Sequence, residues 1–281
     1  MREGVAQTAA QPVVAQDPTS IPARDWAVVT AEKEIELIEH RGSYLRYRQR
    51  SVDAKGDELR DVIESKDGTV ARLIRRNNQP LTSEEDEAER SRLSGLLDHP
   101  NDFFRHINRE TAAKRRAIDL IRLMPDAMLY TYAPGQPQTE GNRVHEVVVD
   151  YRPNPGFNAP TVLSEGLTGL RGRVWIDPAT KEIVRMDGEI FHDINWGWGI
   201  LAHIYPGGKV DLEQSEASGA RWNLTHFHEQ VTVKALMVKT MNVHAEVESM
   251  DFQALPGPMS YQDAVHLLLN TPRPQSADAR P

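Results

Sequence analysis

The chain of 281 residues contains no cysteine, which excludes disulfide bonds, thiolate metal sites and a cysteine that carries a lipid anchor. It also has no run of about 18 apolar residues, so no segment is predicted to span a membrane as a helix. The net charge of −8 offers no general attraction to nucleic acid or anionic membranes. The motifs HExxH, GxSxG, GxxxxGK[ST] and GxGxxG are absent, which favours a protein that is not an enzyme and has no cofactor.

The two ends of the chain differ in composition from its middle. Residues 1–23 are rich in Ala, Gln and Pro, and residues 271–281 are rich in Pro. They are expected to form a disordered arm and a flexible tail. The first 20 residues lack an apolar signal core of about seven residues, although their Ala/Gln/Pro content resembles the segment that follows a removed signal peptide. The chain is long enough for one large domain or two small ones, and a domain of this size buries roughly three quarters of its unfolded surface. Residues 24–270 are expected to form one domain.

The segment from Gly172 to Gly188, GRVWIDPATKEIVRMDG, is the strongest local signal. A β-rich run at Val174–Ile176 is followed by a turn that begins with Asp177 and Pro178, and a second run continues from Ile183. Asp bonds its own backbone and Pro presets φ, so this pattern predicts a β-hairpin.

Helix signals flank the strand-rich regions. Thr30 is predicted to cap a helix that ends near His40, and Ser260 to cap a final helix through Leu269. An insert at about residues 82–124 has two predicted helices, the first opened by a capping box at Thr82 and the second ended by Pro125. The strand candidates are Tyr44–Val52, Glu58–Lys66, Thr69–Asn77, Ala127–Tyr132, Arg143–Tyr151, Gly188–Ile194, Gly199–Tyr205, Lys209–Glu216, Arg221–Leu236 and Met241–Phe252.

Alternation within these strands predicts one buried sheet face. In the last strand Val243, Ala245 and Val247 point one way, whereas His244 and Glu246 point the other way. We therefore predict an α+β fold with a curved antiparallel sheet of roughly ten strands. Because a large sheet twists, this sheet is expected to form an incomplete β-barrel with helices covering its concave face and an apolar cleft inside.

Two histidines provide the best metal-ligand pattern in the sequence. His226 and His228 lie on the same face of a predicted strand, and His244 could lie on the neighbouring strand. Both histidine rows fall on the polar face, and no pattern fixes a third ligand. Solvent-facing histidines are therefore favoured over a metal site, and a metal-dependent enzyme that uses His226 and His228 is the weakest of three functional hypotheses.

Aromatic and sulfur-containing side chains are candidates to line the cleft. Trp196 and Trp198 alternate with glycines, which suits a strand bend near a hydrophobic rim, although core packing explains the same pattern. Met237 is a flexible apolar side chain and is open to the same two interpretations. With Trp175, these residues form the predicted ligand-binding set.

Four segments resemble a known family. They are PGFNAP at 155–160, GLTGLRGRVWIDPATKEIVRMDGEI at 166–190, GWGILAHIYPGGKVDLEQ at 197–214 and the strand that contains Trp222. Together, over roughly Tyr44–Phe252, they resemble bacterial outer-membrane lipoprotein-sorting-like proteins, the superfamily of the Lol-type lipoprotein carriers and the RseB-like regulators.

This resemblance implies a half-barrel with lid helices over a hydrophobic cavity, export to the periplasm and binding of a lipid or of the acyl chain of a lipoprotein. Envelope proteins and a peripheral membrane contact are further implied partners. The leading hypothesis is a non-enzymatic carrier or sensor of acyl chains. The alternative is a cell-envelope interaction scaffold with a filled core and no ligand.

Overall fold

The computed structural model describes residues 20–40, 42–136, 138–140, 143–196, 202–218, 221–235 and 239–272. The helices are α1 (Ala23–Glu39), α2 (Ser83–Asp98), α3 (Pro100–Ala127) and α4 (Tyr261–Asn270), with a 3₁₀ helix at Leu163–Gly169. The strands are β1 (Leu45–Asp53), β2 (Gly56–Ser65), β3 (Gly68–Arg76), β4 (Gln79–Pro80), β5 (Met128–Tyr132), β6 (Gln138–Glu140), β7 (Arg143–Pro153), β8 (Leu170–Ile176), β9 (Ile183–Ile190), β10 (Ile194–Trp196), β11 (Ala202–Ile204), β12 (Lys209–Ser218), β13 (Arg221–Ala235) and β14 (Lys239–Ala254).

The strands form one open antiparallel sheet in the order β4-β3-β2-β1-β14-β13-β12-β9-β8-β7-β5. The pair β10–β11 attaches to β13, and β6 attaches to β7. β1 pairs with β14, so the first and last strands meet in the middle of the sheet. The predicted α+β fold with a large antiparallel sheet is therefore confirmed, and the predicted hairpin at Val174–Ile176 is the β8–β9 pair. The described residues form 14 strands, more than the predicted ten, chiefly because short strands such as β4 and β6 lack a sequence signal.

The strand register separates two faces of the sheet. Tyr47 pairs with Val62 on one face, which we call the groove face, while Arg46 pairs with Ile63 on the other, which we call the outer face. The groove face continues along the sheet to Val149, which pairs with Val174. Helix α1 packs on this face through side chains that include Ala23 and Trp26.

Helix α4 packs on the outer face, over β2 and β3. Its buried residues Ala264, Val265 and Leu268 share a core cluster with Ile63 and Val70. The predicted capping box is present at its start, because Ser260 accepts a hydrogen bond from the Asp263 amide and Asp263 accepts one from the Ser260 amide. Helices therefore cover parts of both faces.

Helix α2 lies along the free edge of β3. β4 pairs with Arg75 and Arg76, and no other described strand pairs with the middle of β3 on that side. There the Leu73 amide donates to Glu89 at 2.7 Å, and the Ala71 carbonyl accepts from Arg92 at 2.7 Å. Two side chains thus replace the missing strand. The predicted capping box at Thr82 opens this helix as expected.

Two predicted helix boundaries are wrong. Helix α1 begins at Ala23, seven residues before the predicted cap Thr30, which is buried within the helix. Packing of Trp26 on the sheet stabilises this earlier start. Helix α3 runs two residues beyond Pro125, because the carbonyls near its end are paired: Arg24 donates to the Pro125 carbonyl at 3.2 Å, and the Tyr130 hydroxyl donates to the Met124 carbonyl at 2.9 Å.

Candidate ligand groove and charged outer face

A cavity of about 1110 Å³ lies between the groove face and the helices. Its floor includes Tyr47 of β1, Val62 of β2 and Leu73 of β3. Leu37 and Ile38 at the end of α1 form part of its roof. We call this space the groove, since it is bounded on one side by a sheet and on the other by helices.

Helix α3 crosses the groove and is anchored at both ends. At its start Phe103 stacks on Tyr261 of α4, with ring centroids 4.1 Å apart. Gly68, the first residue of β3, allows α3 to lie close to the β2–β3 turn, because a Cβ at this position would lie 2.3 Å from Ile107. At its other end, Ala127 joins a core cluster with β5 and β7. The helix between these anchors contributes exposed side chains to the groove, including His106, Ala113 and Ala117.

Charged side chains in the groove are largely arranged in pairs. Glu64, which is buried, binds Arg221 at 2.6 Å and also accepts a hydrogen bond from the Leu45 amide at 3.0 Å. Glu58 pairs with Arg60 and Arg76, and Glu89 pairs with Arg92, while the His106 imidazole lies 3.1 Å from Glu110. The groove therefore combines apolar walls with neutralised charges, and it is amphipathic where the sequence analysis expected an apolar cleft.

The predicted ligand-binding residues do not lie in this groove, as far as the described residues extend. Trp175 is on the outer face because its neighbours Val174 and Ile176 point into the core. Its ring lies 5.0 Å from the Arg185 guanidinium and 5.9 Å from that of Arg173. It lines a second cleft, of about 580 Å³, whose walls are mostly charged.

The other three members of the predicted set are divided between a core cluster and undescribed segments. Trp196 packs beside Ile190, Ile194, Ile204 and Val231, and its buried indole Nε1 has no hydrogen-bond partner. Trp198 and Met237 lie outside the described residues. The ligand-binding role of the set therefore stays a prediction.

The histidines of β13 lie on the outer face but do not converge on each other. His228 Nδ1 is 3.2 Å from Asp211 on β12, and its ring centroid is 5.4 Å from that of His244 on β14. His226 instead groups with Glu246 and Glu248 of β14, and one ligand atom from each residue lies within 4.8 Å of the other two. The sequence placed both glutamates on the polar row of β14, but it could not give the strand register that brings them to His226.

Two carboxyl groups, of Glu34 on α1 and of Glu182 just before β9, lie close together, and no pattern in the sequence predicts this. Glu182 is 3% exposed, and its Oε2 has no hydrogen-bond partner. Burial, reinforced by the nearby charge of Glu34, raises the pKa of Glu182 to about 7. Burial also raises the pKa of Glu34, although a hydrogen bond from Gln214 at 3.0 Å opposes this effect. Lys33 Nζ, 4.0 Å from Glu182, lowers the Glu182 pKa by less than burial raises it.

No protein-family model, curated protein or solved structure matches this chain. Within the described residues, no helix has both the length and the apolar character needed to cross a membrane.

Proposed function

We propose that the protein is a non-enzymatic carrier or sensor that binds the acyl chain of a lipid or lipoprotein in the groove. The observation that carries this proposal is the groove itself, at about 1110 Å³. Small-molecule sites in proteins commonly measure about 300–1,000 Å³, so the groove has room for a large ligand. The proposal also includes export to the periplasm and contact with envelope proteins, which rest on the sequence resemblance.

The lining of the groove suits an amphipathic molecule. Apolar side chains on the floor, such as Val62 and Leu73, face Leu37 and Ile38 of the roof. Burial of an acyl chain between such surfaces contributes about 0.8 kcal/mol for each methylene removed from water. The paired charges nearby, such as Glu58 with Arg60 and Arg76, offer hydrogen-bonding groups to a polar head.

A substitution on α3 tests the proposal with a matched control. Ala113 lines the groove, whereas its neighbour Ala112 is exposed and does not. We expect palmitate to raise the melting temperature of the delipidated wild-type protein, because it binds the folded state. Ala113→Trp places an indole in the groove and should reduce this increase, whereas Ala112→Trp should retain it. Native mass spectrometry of the purified protein should reveal bound fatty acid or phospholipid.

The alternative function, an interaction scaffold without a ligand, predicts the opposite result. A delipidated protein whose melting temperature is unchanged by palmitate or phospholipid, and which carries no lipid after purification, would refute the carrier proposal. An equal response of the Ala113→Trp and Ala112→Trp variants would show that lipid binds elsewhere.

A further inference from the structure

The outer face presents an acidic group at the β13–β14 pair. His226 on β13 lies directly opposite Glu248 on β14, and Glu246 lies two residues away on the same face of β14. One ligand atom from each of the three lies within 4.8 Å of the others, and all three residues are half-buried. Zinc–nitrogen and zinc–oxygen bonds are about 2.0–2.2 Å, so ligand atoms around one ion lie up to about 4 Å apart. Small side-chain rotations would bring these atoms to that spacing.

The charges around this group are not balanced. Elsewhere on the outer face, acidic residues pair with arginines, as Asp150 does with Arg173 and Asp187 with Arg185. Within the part of the chain that the structure describes, the side chains of Glu246 and His226 have no hydrogen-bond or ion-pair partner.

Arg50 is the basic side chain that reaches this group. It lies 3.1 Å from Glu248 and is also bound by both carboxylate oxygens of Asp57. Asp57 and Glu248 thus share one arginine, and Glu246 adds a third carboxylate two residues along β14. This excess of negative charge favours a bound cation. Arg50 also fixes the orientation of Glu248, as outer-shell partners of metal ligands do.

We propose that His226, Glu246 and Glu248 bind one divalent transition-metal ion, and that Zn²⁺ fits this ligand set best. An imidazole with two carboxylates suits zinc, whereas Mg²⁺ and Ca²⁺ favour ligand sets made of oxygen alone. Zinc usually has four ligands, so three ligands from the protein leave the fourth position for water. The ion would tie β13 to β14 near the centre of the sheet, on the face opposite the groove, so the proposal is independent of acyl-chain binding.

The test measures Zn²⁺ binding by isothermal titration calorimetry and by the shift in melting temperature, using chelator-treated protein. Wild-type protein should bind one Zn²⁺ per chain and melt at a higher temperature in its presence. His226→Ala and Glu246→Gln should each weaken Zn²⁺ binding at least about tenfold. Replacing a residue that only hydrogen-bonds to a metal ligand already costs about tenfold in metal affinity, and these two residues are ligands themselves. The matched control is His228→Ala, which removes the other histidine of this strand face and should retain tight binding.

Several outcomes would overturn the proposal. Wild-type protein that binds no Zn²⁺ has no such site. Loss of binding in His228→Ala equal to that in His226→Ala would assign the ion to the histidine pair instead. Equal affinity for Mg²⁺ and Zn²⁺ would exclude a site that depends on the imidazole. Because Glu246→Gln preserves side-chain size, circular dichroism and the melting temperature without metal separate loss of a ligand from loss of folding.

Discussion

Replacement of Glu182 by glutamine should stabilise the protein at alkaline pH and do so much less at acidic pH. The carboxyl group is 3% exposed, and its pKa is raised from 4.5 to about 7 by burial and by Glu34. Between these two values the unfolded chain has already released the proton that the folded chain retains. The free energy of unfolding therefore falls as pH rises from about 4.5 to about 7 and is not recovered above that range.

The size of the effect follows from the pKa difference. At 1.36 kcal/mol per pKa unit, the shift from 4.5 to about 7 corresponds to about 3 kcal/mol of lost stability at pH 8. At pH 5 the same shift corresponds to only about 1 kcal/mol, because the unfolded carboxyl group is still partly protonated. Glutamine has the same shape without the charge, so Glu182→Gln should recover about 3 kcal/mol at pH 8.

Urea unfolding followed by circular dichroism, at pH 5 and pH 8, measures this difference directly. Glu32→Gln is a suitable control, because it removes a charge from an exposed position on α1, the helix that carries Glu34. The stability gained by Glu182→Gln over wild type should be larger at pH 8 by about 2 kcal/mol or more. An equal gain at both pH values, or no gain at pH 8, would show that ionisation of the buried Glu182 carboxyl group does not destabilise the folded protein.

Two further substitutions test the anchoring of α3 and the close packing of the β8–β9 hairpin. Phe103→Ala removes one member of the aromatic stack at the start of α3 and should lower the free energy of unfolding by about 3–5 kcal/mol. A loss below about 1 kcal/mol, measured by urea unfolding, would exclude an anchoring role for this side chain. Gly172→Ala would place a Cβ 1.9 Å from a main-chain oxygen of β9, so it should destabilise the protein by about 1–3 kcal/mol or more. The control is Gly257→Ala, which should have little effect on the melting temperature because no atom lies within 4 Å of the added Cβ.

Local signals in the sequence predicted most of the elements. Asp177 opens the turn between β8 and β9, and the caps at Thr82 and Ser260 open α2 and α4 as expected. These features depend on residues a few positions apart, for which backbone conformation and capping dominate. Thr30 failed as a cap signal because packing of Trp26 on the sheet extends α1 in the N-terminal direction.

The groove and the acidic group depend on contacts between distant residues, and local patterns do not encode them. Glu64 and Arg221 are 157 positions apart in the sequence, yet they form a buried ion pair in the groove. Glu248 meets His226 only because β14 pairs with β13 in one particular register. A shift of β14 by one residue against β13 would turn Glu248 to the opposite face, away from His226. Strand alternation places Trp175 on the outer face, in the second cleft, where a prediction based on residue type alone could not place it.

The arrangement of α2 along β3 has a consequence for association between molecules. An open sheet ends in strands whose free amide and carbonyl groups can recruit an extended segment from another chain. Glu89 and Arg92 already occupy such groups at Leu73 and Ala71, and they bind each other at 2.7 Å. An incoming strand would have to displace two charged side chains before it could form its first hydrogen bonds there. This end of the sheet is thereby closed to growth by strand addition, so the protein can maintain an open sheet of this width without polymerising through β3.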